Sequence, residues 1–257
     1  MTVRASALLI LVLIASSSLA QTTAKTKARP NIPGSFIVDF GLNGTLNSPA
    51  AWKQTLFGSR TANLYYQYPL RFGRSRFSFN PGLGLSLERF KWKTFVILNN
   101  PVEANANAQI EKYEFAAAAS KYPGSKKRMF VNNYLEVPIE LRFDTKPEDV
   151  SRSLNFAIGA RAGWLYDSFL KVKYKEDGQW KKIKDKQDWG VTQFRYGVYT
   201  RFGIGAFNIF MFYNLTPLFQ KDKGPYNDDM LPDGTLVSGA TGTTMQTFTA
   251  GISINGF

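Results

Sequence analysis

The sequence predicts an all-β fold: an eight-stranded antiparallel up-and-down transmembrane β-barrel with long extracellular loops and short periplasmic turns. Three observations predict it. Apolar and polar residues alternate with a period of two through eight segments between Ser35 and Ile254. The connections between those segments alternate long and short, as in a barrel with loops on one rim and turns on the other. The face opposite the apolar one mixes charges of both signs with Gly, Ser and Asn. No lysine falls in the middle of a predicted strand, whereas a water-facing strand surface ordinarily carries some.

Residues 1–20 come first, with Arg4, the apolar run Ala7 to Ala15, and small residues at Ser18 and Ala20. This reads as a secretory signal cleaved after Ala20, because the run is well short of the ~20 residues that a spanning helix needs. Residues 21–33 (QTTAKTKARPNIP) form a basic periplasmic lead-in, and residues 34–257 the barrel domain. In the first strand Phe36, Val38, Phe40 and Leu42 oppose Asp39, Gly41 and Asn43. In the second, Ala62, Leu64, Tyr66 and Leu70 oppose Asn63, Gln67 and Arg71. The third sets Phe77, Phe79, Leu83, Leu85 and Leu87 against Ser78, Asn80, Gly84, Ser86 and Glu88. The fourth sets Leu135, Val137, Ile139, Leu141 and Phe143 against Glu136, Glu140 and Arg142.

Residues 154–166 alternate most clearly, with Phe156, Ile158, Trp164 and Tyr166 opposite Asn155, Gly159, Arg161 and Gly163. The sixth strand sets Phe194, Tyr196, Val198 and Phe202 against Arg195, Gly197 and Arg201. The seventh is less clean, since Phe210 and Phe212 share the polar side with Asn208 and Asn214. The eighth opposes Phe248, Ala250, Ile252 and Ile254 to Thr247, Thr249, Gly251 and Ser253. Trp164 and Tyr166 near one rim, and Phe77, Phe143 and Phe202 near the other, mark two interfacial aromatic girdles. Pro69, Pro81 and Pro138 each remove a ladder donor, so local bulges are expected there. Phe257 is out of phase with the even-numbered apolar face of the last strand, which leaves open whether it is an in-register assembly signal.

A net charge of +13 with neither histidine nor cysteine narrows the chemistry. Ser-His-Asp hydrolysis, histidine acid/base catalysis, thiol nucleophiles, disulfides and His- or Cys-ligated metals are all excluded. Glu136 and Glu140 share a face two pleats apart, but lumen carboxylates beside arginines read as ion pairs rather than as an acid/base couple. We therefore expect a structural lumen network of Asp39, Arg71, Glu88, Glu136, Glu140, Arg142, Arg161, Arg195 and Arg201, with no catalytic residue, cofactor or metal. Eight strands give an interior about filled by side chains, here Tyr65, Tyr134, Tyr199, Phe210 and Phe212, so solute passage is not expected as the main task. Asp228, Asp229 and Asp233 match no cation loop and read as a turn.

All lysines except Lys25, Lys27 and Lys146 fall on the long-loop side, most densely at 171–186. Lys171, Lys173, Lys175, Lys181, Lys182, Lys184 and Lys186 are candidates to contact lipopolysaccharide phosphates. Nucleic acid is not an expected partner at a cell surface. Loops 91–128 and 219–243 are candidate contacts for envelope proteins, with 91–98 read as an extension of the hairpin beyond the membrane.

Tyr134–Phe143 (YLEVPIELRF) is similar to the YLEIP strand of the PorT-like outer-membrane β-barrel family of Bacteroidota. The signal ending before Gln21, the strand PGLGLSLE and the terminal Phe257 resemble that family as well. The resemblance implies an eight-stranded outer-membrane barrel, and some members are linked to type IX secretion and gliding. The expected function is a non-enzymatic structural or accessory component of such an assembly. A loop-mediated surface binding or adhesion protein and a soluble lipocalin-like carrier of an apolar ligand are the alternatives.

Overall fold

Period-two alternation is realised as eight antiparallel strands: β1 (Ser35–Leu46), β2 (Arg60–Gln67), β3 (Phe77–Lys91), β4 (Lys127–Asp144), β5 (Leu154–Glu176), β6 (Phe194–Ile204), β7 (Phe207–Asn214) and β8 (Gln246–Asn255). This computed structural model describes residues 34–49, 52–93, 96–99, 114–117, 121–221, 223 and 244–256. The signal segment, the lead-in, Asp228, Asp229, Asp233 and Phe257 lie outside the described residues. Each strand pairs with its sequence neighbour, and β1 pairs with β8 from Ile37↔Asn255 to Leu46↔Gln246, so the sheet closes on itself. Closure leaves none of the eight barrel strands at an edge and satisfies their backbone within the sheet, which is what a strand-built membrane span requires.

The two faces sort as the alternation predicts. Asp39, Asn63, Tyr65, Glu88, Glu136, Arg161, Arg201 and Asn208 are buried in the interior, while Phe40, Leu64, Leu83, Val137, Ile158, Val198 and Ile252 are exposed on the outside. Phe210 and Phe212 point inward with the polar residues and are buried. Phe77, Phe143, Phe156 and Phe202 lie side by side across β3 to β6 in one rung near the short-turn rim. The Phe77 and Phe143 rings are 5.1 Å apart. Trp164 and Tyr166 are exposed toward the long-loop rim. An outward apolar band between two aromatic girdles is the surface of a barrel in lipid. It excludes the soluble-carrier alternative, in which apolar residues would line the interior.

The prolines do not create bulges. Pairing runs in one unbroken register from Phe77↔Phe143 through Pro81↔Ile139 to Lys91↔Met129, with a gap in the ladder opposite Pro138. Pro69 likewise interrupts β2 without shifting it, and Leu70–Arg71 resume the pairing with Phe79 and Ser78. A lost donor is tolerated by dropping a rung. The bulge lies elsewhere: Asn133 pairs with Asp167 but Tyr134 with Leu165, so Tyr166 is the extra residue in β5. One inserted residue exchanges the faces of everything beyond it. Odd residues of β5 face inward up to Gly163, whereas beyond Tyr166 the even Leu170, Val172 and Tyr174 are buried.

Beyond the bulge β5 continues to Glu176 and turns back at Asp177-Gly178, both at positive φ (50° and 78°), into an arm at Gln179–Asp185. Asp-Gly suits a two-residue turn because both central residues must adopt left-handed backbone. The basic segment 171–186 is therefore a two-stranded ribbon rather than an irregular loop. The reading of 91–98 as an extension of the hairpin holds with a break. β3 ends at Lys91, and Val96–Asn99 pair with Glu114–Ala117 in a separate small sheet.

Close approach inside the barrel depends on glycine at one rung. A Cβ on Gly159 would sit 2.6 Å from Tyr199 Cζ and 2.4 Å from the Ile139 carbonyl oxygen. Gly159→Val is therefore expected to destabilise the barrel by about 1–3 kcal/mol through overpacking. The check is a lower urea midpoint after refolding, with an unchanged midpoint counting against this packing.

Candidate functional site

The interior divides into three levels along the barrel axis. At the long-loop end it is an apolar plug. Trp52, Trp92 and Trp189 come from the loops after β1, β3 and β5, Tyr122 from the segment before β4, Leu218 and Phe219 from the one after β7, and Met245 from the one before β8. They pack on the inward Phe90, Phe130, Leu170 and Val172 of the strand extensions. Phe130 stacks on Trp92 at 6.3 Å and on Phe219 at 6.0 Å, and meets Trp52 and Trp189 edge-on at 6.1 and 6.5 Å. Each such pair adds about 0.5–1.5 kcal/mol beyond area burial. Ile97 and Leu98 of the small sheet are buried in the same cluster. That part of loop 91–128 closes the barrel end rather than offering an apolar surface to a partner.

Below the plug lies the charged level. Arg195 on β6 places Nη1 2.7 Å from Glu88 and Nη2 2.6 Å from Glu136, donates to Ser86 Oγ at 3.1 Å, and covers the Tyr134 ring at 3.6 Å. One step down, Arg161 on β5 donates to the Tyr65 hydroxyl at 2.8 Å and lies 3.5 Å from Asp39 and 3.9 Å from Glu136. Its guanidinium sits 4.5 Å from the Tyr199 ring centroid and 4.4 Å from that of Phe212. Tyr65 donates to Glu136. Lower again, Arg201 bridges Asp39 (3.0 Å) and Glu140, and Arg142 lies 2.9 Å from the other oxygen of Glu140. Glu140 also accepts hydrogen bonds from Tyr199 Oη at 3.1 Å and from Asn80 Nδ2 at 3.3 Å.

The structure thus brings together eight of the nine expected lumen residues: the carboxylates Asp39, Glu88, Glu136 and Glu140 against the guanidiniums of Arg142, Arg161, Arg195 and Arg201. Arg71 stands apart near the short-turn rim, 3.5 Å from Asp144. Asp144 was not among the expected members, although its even-numbered position at the end of β4 continues the inward set. The network is charge-balanced and multiply hydrogen-bonded, which is how ionised groups are kept inside a low-dielectric space. Glu136 and Glu140 are each held by arginines, and an acid/base pair needs one of them protonated. The arrangement binds its own side chains.

The third level is a vestibule of about 550 Å³ at the short-turn end, bounded by Gln67, Arg71, Asn80, Arg142, Asp144 and Asn255 among others. Gln67 Oε1, Asn80 Oδ1, Asp144 Oδ1 and Asn255 Nδ2 are buried in its walls without a partner among the described residues, beside the apolar Pro69, Ile204, Ala206 and Phe207, so its lining is mixed. It ends at the level of Asn80 and Arg142.

On the outer surface, the bulge at Tyr166 decides where the basic segment points. Lys171 and Lys173 on β5, and Lys184 and Lys182 opposite them on the arm, face outward. Lys181 at the tip is 2.6 Å from Glu176 and holds that exposed carboxyl below its ordinary pKa by hydrogen bond and charge. Lys186 is 2.7 Å from Asp167, and Lys175 lies exposed opposite Trp180. Sequence reasoning missed Arg60, Arg89, Lys91 and Lys127, which join the same outer face across β2, β3 and β4.

The family model for outer membrane protein beta-barrel domains matches residues 21–220, a span that includes β1 to β7. No curated protein and no solved structure gives a significant match. Closed eight-stranded topology, an apolar exterior between aromatic girdles and this match agree, and they place the protein in the outer membrane. The chain belongs to the outer membrane protein beta-barrel domain family.

Proposed function

We propose that this protein is a non-enzymatic, non-conducting barrel that serves as a structural or accessory component of a cell-surface or secretion assembly. The observation that carries the reading is occlusion of the lumen at two successive levels. The plug fills the interior at the long-loop end, and the arginine–carboxylate network fills it below. With the interior committed to its own side chains, exchange with other molecules falls to the outer surface, the loops and the vestibule. The resemblance of Tyr134–Phe143 to the PorT-like strand supports an assembly of the type IX or gliding kind. Loops 91–128 and 219–243 are the segments on which protein partners would act. Export rests on the signal-like residues 1–20, with the family match beginning at residue 21.

Planar-bilayer recording tests the reading. The refolded barrel is expected to show no steady single-channel conductance. A variant that thins both levels, with Arg195→Ala and Phe212→Ala in the charged level and Trp92→Ala and Phe130→Ala in the plug, is expected to leak. A stable open channel in the unaltered protein would overturn the proposal. Cross-linking in cells complements it, since loss of a captured envelope protein on deletion of 224–243 would favour a loop-mediated role.

A further inference from the structure

We propose that the outer face of β2 to β5, at the long-loop boundary of the apolar band, binds the phosphorylated headgroup of an outer-leaflet glycolipid. This inference rests on the reading of the barrel as membrane-embedded with its long loops outside. It replaces the general idea of a basic loop by a surface with a defined register.

Three successive rungs build that surface. The first runs Arg60↔Arg89↔Val131↔Phe169, the second Lys91↔Met129↔Lys171↔Lys184, and the third Lys127↔Lys173↔Lys182. These residues share the outward face: backbones of cations on adjacent strands, such as Arg60 and Arg89 or Lys127 and Lys173, are about 5 Å apart, Lys91 and Lys171 about 10 Å apart across Met129, and rungs about 7 Å apart along the sheet. The surface is unbalanced. No ion pair to Arg60, Arg89, Lys91, Lys127, Lys171, Lys173, Lys182 or Lys184 occurs among the described residues, and the neighbouring carboxylates are engaged elsewhere. Asp167 is with Lys186 and Asn133, Asp185 with Lys121, and Glu176 with Lys181. The strongest electrostatic neighbours of Lys127 are Lys171, Lys91, Arg60 and Arg89, every one a cation. A sheet that clusters like charges without counter-charges gains when an anion of high charge density arrives.

Two further features choose a lipid over a soluble anion. Met129, Val131 and Phe169 form a buried apolar cluster within the patch, directly above the apolar band that begins at Leu135 and Trp164. The short turn Leu56–Gly58 lies against Lys91, and its Phe57 is 78% exposed. Cations at headgroup height, with an exposed aromatic beside them and apolar strands below, match a ligand whose phosphates sit above acyl chains. A soluble polyanion would gain nothing from Phe57 or from the band.

The test uses the full barrel refolded into phosphatidylcholine vesicles with and without diphosphoryl lipid A, with bound lipid counted by native mass spectrometry after extraction. The variant R89Q/K91Q/K171Q/K173Q is compared with K146Q/R152Q/K221Q/K223Q, which removes the same charge elsewhere. The patch variant is expected to lose at least about tenfold in lipid A retention, while the control retains it. Dephosphorylated lipid A should be retained by neither. F57S should weaken retention without altering its salt dependence. Equal loss in both charge variants, or no loss in the patch variant, would overturn the site. Displacement of the lipid by millimolar inorganic phosphate would overturn the choice of a lipid. Folding is followed by the gel shift on boiling, and if the quadruple variant does not fold, K91Q/K171Q gives the same comparison. Failure here leaves the occluded lumen untouched, because each variant is also recorded for conductance.

Discussion

Replacing Glu136 by alanine is expected to lower the unfolding free energy of the refolded barrel by about 3–5 kcal/mol, the cost of stranding buried charge. Glu136 receives two hydrogen bonds from Arg195, at 3.0 and 2.6 Å, and one from Tyr65, and it lies near Arg161. Without it Arg195 keeps only Glu88 and Ser86, Arg161 keeps Asp39 and Tyr65, and the lumen carries an excess positive charge. Glu136→Gln keeps an acceptor and loses the charge, so a smaller loss is expected. Adding Arg195→Ala to Glu136→Ala should cost less than the sum of the two single changes, since the groups act as a unit. Urea titration read by tryptophan fluorescence measures all three. A Glu136→Ala midpoint equal to that of the unaltered protein would mean that the network does not hold the lumen.

Ile139→Arg is expected to cost about 2–4 kcal/mol, the penalty for arginine on the lipid face near the bilayer midplane. Ile139 stands on β4 four residues from Leu135 at the upper edge of the band and four from Phe143 in the lower aromatic rung, and it is 45% exposed. An exposed position on a water-soluble barrel would accept arginine within about 0.5 kcal/mol. Arg at Leu154, beside the short-turn rim, should be milder because the penalty falls toward the interface. Folding yield into vesicles and the urea midpoint supply the comparison, and equal tolerance at both positions would contradict the lipid-facing assignment.

Most of the barrel could be read from the chain because a closed antiparallel sheet imposes a period of two. The pairing of Asp39, Glu136, Glu140, Arg161 and Arg201 with small residues was visible in that period. Even the inward placement of Phe210 and Phe212 followed from parity rather than from their chemistry. What could not be read is what depends on contacts across distant segments. The plug gathers Trp52, Trp92, Tyr122, Trp189, Phe219 and Met245 from separate loops, and no local pattern announces such a cluster. The bulge at Tyr166 exchanges the faces of β5, so that lysines 171 and 173 look outward and Leu170, Val172 and Tyr174 fill the interior. In sequence, that stretch only looks basic. One missed signal was available: Asp177-Gly178 is a strong hairpin dipeptide, and it marks the ribbon that the segment 171–186 forms.

Spin labels test the central claim most directly, because a chain with no cysteine accepts single-cysteine variants without a background. Labels at Val137, Ile139 and Val198 in the refolded protein are compared for collision with oxygen, which partitions into lipid, and with a water-soluble nickel chelate. Oxygen accessibility is predicted to exceed nickel accessibility at all three, most strongly at Ile139, while a label at Lys184 on the basic arm shows the reverse. Higher nickel accessibility at Ile139 would put the apolar face in water and contradict the membrane barrel on which the rest depends.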